Sequence, residues 1–358
     1  MEKLIFMIKD IQNIVRNFLD TEGSKFHAEV LKSGHINDTF KVSLENGSSI
    51  EHFIVQKLNT SIFPEPQKIM ENIETVAHHL TSKGYEKAVL SCLKTQKGDY
   101  FHRNTEGGNI TGFWRMIPFI ENTYSILKVE NEHQAFEAAK AFGEYLRYLV
   151  DLDISKIHTI IPNFHNAAFR AQQFREALKN KPTDERLTKA HNALIFSEKH
   201  INYFSQIIEN IPQRVTHNDT KISNILFDKT TQKAACIIDL DTLQPSTLLS
   251  DFGDMVRTYT PQYDEDERDL EKVQMRLPYF EALMEGFLSE LGSVLTPSER
   301  ANLIFGAKRT VFVQALRFLT DYLNNDIYYK TDYPEHNLVR AENQIALLQS
   351  LEKQGNKF

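Results

Sequence analysis

The segment Arg214-Val215-Thr216-His217-Asn218-Asp219-Thr220-Lys221-Ile222-Ser223-Asn224 sets a histidine, a carboxylate and an amide at a fixed spacing: H-x-D, four residues, then Asn. A carboxylate early in a short loop can accept the proton of an alcohol, and an amide five positions on can hold a divalent cation. Phosphoryl transfer to a hydroxyl needs both, because the acceptor must be aimed in line and the phosphate charge offset. Asp219 is the expected catalytic base and Asn224 an expected metal ligand. Lys221 stands two residues after the base, where it can reach the transferred group as a point charge. A solvated loop lysine explains it equally well.

A second acidic group closes the run Ala234-Ala235-Cys236-Ile237-Ile238-Asp239-Leu240-Asp241. Carboxylates at the end of an apolar strand are costly unless a cation or donors compensate. Strand, turn and strand after the catalytic loop would return Asp239 beside Asn224. Asp239 is the expected principal magnesium ligand, with Asp241 as a helper on the same strand face. Asp251-Phe252-Gly253 spells the magnesium motif of protein kinases. It follows a loop, not an apolar strand, and is expected to cap a helix beginning near Phe252. Asp251 as metal ligand is the competing reading. A turn with satisfied local hydrogen bonds uses the same residue types, but loop, strand and upstream elements agree on the catalytic reading.

Those elements begin with apolar residues at helical spacing, from Leu4 to Ile11, Ile14, Val15 and Phe18, expected as an amphipathic helix. Strands are expected at His27–Leu31, Asp38–Leu44 and Phe53–Leu58, with Asn46-Gly47 as a hairpin turn whose two residues tolerate positive φ. Pro64 and Pro66 precede a helix with Ile69, Ile73, Val76, Ala77 and Leu80 on one stripe. Further strands are expected at Ala88–Leu93, Asp99–His102 and Gly112–Ile117. Beyond Pro118 the periodicity is helical over Ala135–Leu149, Ala168–Leu178, Arg186–Ile208 and Ala301–Leu323, interrupted by a β segment at Ile225–Leu240. The expected organisation is α+β and protein-kinase-like, with two lobes: a small antiparallel sheet with one crossing helix over residues 1–117, and a mainly helical lobe over 118–358.

In this frame, the loop containing Gly34, Asn37 and Thr39 should cover a nucleotide's phosphates. Lys57, sharing a strand face with Val55, should bind phosphate, with Glu74 the better candidate for its helix partner. A solvated strand lysine is the alternative account of Lys57. Met116–Phe119 should form the hinge that reads the adenine edge.

Composition narrows the partners. The 358 residues are 41% hydrophobic and 25% charged, with a formal net charge of −7. No basic cluster suggests nucleic acid or anionic lipid, and no run is long enough to span a bilayer. Cys92 and Cys236 form no C-x-x-C pair, and with no cleavable leader the reading is cytoplasmic. The acidic run Asp264–Asp269 is expected as the solvated first turn of a helix. No protein partner is implied.

His217-Asn218-Asp219-Thr220-Lys221 together with Ile238-Asp239-Leu240-Asp241-Thr242 resembles the aminoglycoside phosphotransferase-like superfamily, most closely its N-acetylhexosamine 1-kinase branch. The likeness extends to Gly34–Phe40, Gln56–Asn59, Trp114-Arg115, Arg317–Leu323 and Asp326–Lys330. It implies an enzyme that uses ATP and Mg2+ in a cleft between two lobes, with Asp219 as base and Asn224 and Asp239 as metal ligands. It also implies that Thr242, Arg317 and Tyr328 line a sugar pocket, and that the acceptor is the anomeric hydroxyl of an N-acetylhexosamine. The competing expectations are a kinase of another small alcohol (an aminoglycoside, choline or homoserine) and a non-catalytic nucleotide-binding pseudokinase.

Overall fold

Alternation along the early strands sends Phe40, Val42, Leu44, Phe53 and Val55 to one buried face, the period of two that a half-covered sheet requires. The computed structural model describes residues 10–31 and 36–354. Helix α1, described over 10–15, and Phe18 just after it cover that face with Ile11, Ile14 and Val15. Strands β1 (Lys25–Leu31), β2 (Asp38–Asn46), β3 (Ser49–Leu58), β4 (His102–Glu106) and β5 (Asn109–Pro118) form an antiparallel sheet in the order β1-β2-β3-β5-β4. In the β2–β3 hairpin Asn46 pairs with Ser49, so the turn is Gly47-Ser48, and Gly47 carries the positive φ of 60°. Glycine takes that conformation without a Cβ penalty, so Asn46 need not.

Helix α2 (Pro66–Ser82) follows, with proline in its first turn and the expected apolar stripe buried. The stretch expected as a strand at 88–93 is irregular. A bridge from Ala88 to Cys236 and hydrogen bonds from Cys92 N to Glu74 Oε1 (2.9 Å) and from Leu93 N to Met116 O (2.8 Å) tie it down. A second, three-stranded sheet contains β6 (Thr123–Ser125), β8 (Ile225–Asp228) and β9 (Ala234–Ile237).

The remaining helices are α3 (Glu132–Tyr148), α4 (Ala167–Lys179), α5 (Asp184–Lys189), α6 (His191–Phe204), α7 (Leu248–Tyr259), α8 (Leu277–Leu291), α9 (Pro297–Ala301), α10 (Leu303–Leu323) and α11 (His336–Gln354). Short strands β7 (Arg214–Thr216) and β10 (Gln244–Ser246) flank the catalytic segment. An antiparallel-sheet N-terminal region thus precedes a helical C-terminal region, as expected. The expected helix over Arg186–Ile208 is split at Ala190, whereas that over Ala301–Leu323 is the single helix α10, which begins at Leu303. The acidic run 264–269 is loop rather than a helix start; Glu265 pairs with Arg257, and Asp264 with Lys128.

The chain divides into two units. One gathers the chain up to Tyr124, Asp151–Ile161 and Leu226–Gln244; the other gathers Ser125–Val150, Pro162–Ile225 and the chain from Pro245 onward. The returning segment 226–244 therefore joins the sheet-bearing unit, whereas a single break at 117–118 would have left it with the helices. Among the described residues no helix is long and apolar enough to cross a membrane.

Within the helical unit, α7 and α10 approach at two glycines. A Cβ on Gly253 would lie 2.3 Å from Thr310 Oγ1 and 2.6 Å from its Cβ, and one on Gly306 would lie 2.7 Å from Leu249 Cβ. We predict that Gly253→Ala lowers stability by about 1–3 kcal/mol through overpacking. Thermal unfolding checks this; an unchanged Tm would mean the helices separate freely.

Candidate active site

The expected catalytic residues meet in the helical unit. Thr216 ends β7, and the chain turns at Asn218, whose φ of 65° lies in the left-handed region that Asn tolerates. Lys221 Nζ lies 2.9 Å from Asp219 Oδ1, and Asn224 Nδ2 donates to Asp219 Oδ2 (3.1 Å) and to its backbone carbonyl (2.8 Å). These bonds leave the Asn224 amide oxygen as the group suited to a hard cation. The Asp219 side chain is 21% exposed and that of Lys221 42%. Burial works against the Asp219 charge, but Lys221, His217 and Asn224 outweigh it and hold the carboxyl below the usual range, so it is ionised at neutral pH. Asp219 in turn pushes the Lys221 ammonium upward.

Helix α7 holds this loop, and sequence reasoning missed how. Asp251 lies inside the helix, not at its cap. Its two oxygens accept the backbone N–H groups of His217 (2.9 Å) and Asn218 (2.7 Å). One turn on, Asp254 accepts the Thr220 amide (2.9 Å) while Arg257 donates to its other oxygen (2.8 and 3.0 Å). Tyr259 donates its hydroxyl to Thr220 O (2.7 Å). Asp251 is therefore neither helix cap nor metal ligand: it is wholly buried and committed to the loop backbone. The available signal was a pair of carboxylates three residues apart on a helix, which places both on one face.

The sheet-bearing unit carries the second acidic group. Asp239 follows β9 with φ 59° and ψ 54°, and the turn Leu240–Thr242 begins there, with Thr242 buried in it. Register aligns Thr39, Gln56 and Arg115 across β2, β3 and β5. Gln56 donates to Thr39 Oγ1 (3.1 Å) and accepts from Arg115 Nε (2.8 Å). Arg115 forks onto Asp241, with its second contact at 3.1 Å, and Asn37 Nδ2 donates to Asp241 Oδ2 at 2.8 Å. The Arg115 and Asp241 side chains are only 3% and 2% exposed. Breaking such a pair by removing one partner costs about 3–5 kcal/mol. Asp241, expected as a metal helper, thus has both oxygens engaged by Arg115 and Asn37. Asn72, on the buried stripe of α2, donates to Leu243 O (2.8 Å) and so anchors the end of the same turn.

Lys57 does not join this network. It shares the strand face of Val55, and its ammonium sits 5.9 Å from the Trp114 ring centre. Glu74 accepts the Cys92 amide (2.9 Å) and bonds Tyr100. The cation that meets an expected acidic residue in this unit is Arg115. Gly34 lies outside the described residues. Arg317 and Tyr328, in the helical unit, do come together: the guanidinium lies 6.0 Å from the Tyr328 ring and 5.5 Å from that of Tyr329. Among the described residues no three His, Cys, Asp or Glu side chains form a metal cage. A nucleotide-borne ion needs only one or two protein carboxylates.

Burial pushes the Asp251 carboxyl up to about 7, against the pull of its two amide donors. An unfolded Asp titrates near ~3.9, so between those values the native state keeps a proton that the unfolded state has lost. We predict that wild-type stability falls relative to Asp251→Asn as pH rises through this window, and that the gap is flat above it. Denaturant titration at several pH values checks the slope. A gap that grows in favour of the wild type would mean the amides keep Asp251 ionised.

Solved structures share this fold along nearly the whole chain. A microcompartment-associated aminopropanol kinase matches with a TM-score of 0.59 at 10% identity, covering 98% of each chain. Spectinomycin phosphotransferase, solved with ADP and spectinomycin, gives 0.58 at 12%, covering 94% of this chain and 95% of that one. An amicoumacin kinase solved with AMP-PNP and Ca2+ gives 0.59 at 10%, covering 98% and 96%. At such identities the likeness concerns the fold alone. The sequence itself is matched by the profile of the phosphotransferase enzyme family over residues 27–282, which include the Asp219 loop, the Asp239 turn and the start of α8. On that match, spanning well over half its length, this chain belongs to the phosphotransferase enzyme family.

Proposed function

We propose that this phosphotransferase is an ATP-dependent kinase that phosphorylates the anomeric hydroxyl of an N-acetylhexosamine, with Asp219 as its base. The observation that carries the catalytic part is the Lys221–Asp219–Asn224 constellation, clamped through the loop backbone by α7. An ionised, largely buried Asp219 orients the acceptor hydroxyl and takes its proton. Its depressed pKa makes it a weak base, which suits a loose transition state in which positioning outweighs base strength. Lys221 stabilises the Asp219 charge and, by turning outward, can meet the transferred phosphoryl group.

Mg2+, when bound with ATP, would neutralise phosphate charge. Asn224 and Asp239 offer the hard oxygen donors it prefers. They belong to different units, so this assignment rests on motif and donor chemistry. On the nucleotide side Asn37 and Thr39 remain candidates, while the position of Lys57 lends its expected role no support. Thr242, Arg317 and Tyr328 are proposed for the sugar. The resemblance of those positions to the hexosamine kinases and the Arg317–Tyr328 juxtaposition support the acceptor. The aminopropanol and spectinomycin enzymes of the same fold keep a second reading open, a kinase of an amino alcohol or aminocyclitol.

We predict that Asp219→Asn lowers kcat by about 10²–10⁴-fold while leaving nucleotide affinity nearly unchanged. A coupled ATP-consumption assay with N-acetylglucosamine, N-acetylgalactosamine, kanamycin, choline and homoserine should show turnover with the first two. Near-normal activity of the variant would remove Asp219 as base. Turnover confined to the cationic alcohols would replace the acceptor while keeping the enzyme class.

A further inference from the structure

Beside the catalytic loop, the helical unit brings two arginines to one aromatic wall. Arg170, on α4, donates to Phe164 O (3.0 Å) and Gln173 Oε1 (2.8 Å), and its buried Nε has no hydrogen-bond partner. Arg317, on α10, lies 5.2 Å from the Phe164 ring centre and donates to Gln314 Oε1 (3.1 Å). Among the described residues neither guanidinium has a carboxylate within ion-pair distance. Two acids of the same unit, Asp321 and Asp254, are already engaged. Asp321, one turn beyond Arg317, accepts the amides of Tyr328 (2.8 Å) and Tyr329 (2.9 Å) and the Asn337 side chain (2.9 Å), and Asp254 is held by Arg257.

The wall is joined to the reacting loop by His165, whose Nε2 lies 3.2 Å from Asn218 O. Burial and the Arg317 charge push His165 down to about 4, so at neutral pH it is uncharged and donates Nε2–H to that carbonyl. Burial and Arg317 likewise lower Arg170 to about 10. Two uncompensated cations repelling each other next to an acceptor site favour incoming oxygen atoms with negative charge or lone pairs and disfavour an ammonium.

We infer that Arg170 and Arg317 form a charge filter beside the Asp219 loop, which admits neutral or anionic, oxygen-rich acceptors and turns away cationic alcohols. The inference rests on the proposal that Asp219 is the base on the acceptor side. It adds Arg170 as a specificity residue, one that neither the motifs nor the resemblance indicated.

The test compares kcat/KM at neutral pH for N-acetylglucosamine, glucuronate, glucosamine and choline. The two cationic acceptors should fall below the neutral one by at least about tenfold, with glucuronate at or above its level. Arg170→Gln should narrow the neutral-to-cationic ratio several-fold, and Arg170→Lys, which keeps the charge, should preserve it. Circular dichroism and ATP binding confirm that both variants fold. Equal use of glucosamine and N-acetylglucosamine, or an unchanged ratio in Arg170→Gln, overturns the filter while leaving the Asp219 reading intact. If no acceptor is turned over, the kinase reading has failed. Calorimetric titration of the same four compounds into the ATP-loaded protein then still gives the charge order. Tighter binding of the cations would overturn the filter there too.

Discussion

The backbone of the Asp219 loop is held by two buried carboxylates on a neighbouring helix. Asp251 and Asp254 receive the amides of His217, Asn218 and Thr220, three of four successive donors in the loop; the fourth, Asp219, donates to His217 Nδ1 (3.3 Å). Buried N–H groups without partners are costly, and a loop bent through a left-handed Asn218 has few ways to satisfy them locally. Helix α7 supplies the acceptors from one face. Its close approach to α10 through Gly253 and Gly306 keeps that face where it is. The position of Asp219 is thus a consequence of helix packing as much as of the H-x-D motif.

The sheet-bearing unit solves a similar problem with an ion pair. Asp241 lies just past an apolar strand, where a lone carboxylate would be strongly disfavoured. Arg115, itself buried, offsets its charge, while Asn37 and Gln56 complete the hydrogen bonding. This arrangement costs desolvation of two ions and recovers it through bidentate geometry, so it contributes more to the placement of the turn than to net stability. Asn72 reinforces it from α2. The Asp239-Leu240-Asp241-Thr242 wording then divides naturally: Asp241 builds the turn, and Asp239 is left as the proposed ligand.

Much of this was legible in advance. The H-x-D-x-x-x-x-N spacing, the apolar strand ending in acid and the period-two strands before Leu58 depend on local chemistry, so they can be read from the chain. What the fold added has a different cause. Lys57 stands at a strand end on the face of Val55, while the opposite face meets Asp241, because side chains alternate faces and α1 decides which one is covered. Capping is the commonest use of Asp near a helix start, and only the fold brings the loop amides to Asp251 instead. The stretch at 88–93 has strand composition but only a single bridge, since pairing needs a partner edge that the neighbouring residues do not supply.

What the amino-acid order indicated alone was the reaction class: a carboxylate, an amide and a second acid at a spacing that suits phosphoryl transfer, in a chain with a sheet first and helices after. Periodicity and short-range spacing suffice for that, because they act over a few residues. Tertiary structure decided which charges are neutralised and which stand open. Arg115 closes on Asp241 and Arg257 on Asp254, whereas Arg170 and Arg317 converge on one wall with no ion-pair partner among the described residues. Such pairings join residues more than a hundred positions apart as readily as neighbours, and no local pattern records them. The energy of a buried charge depends on what the fold places beside it.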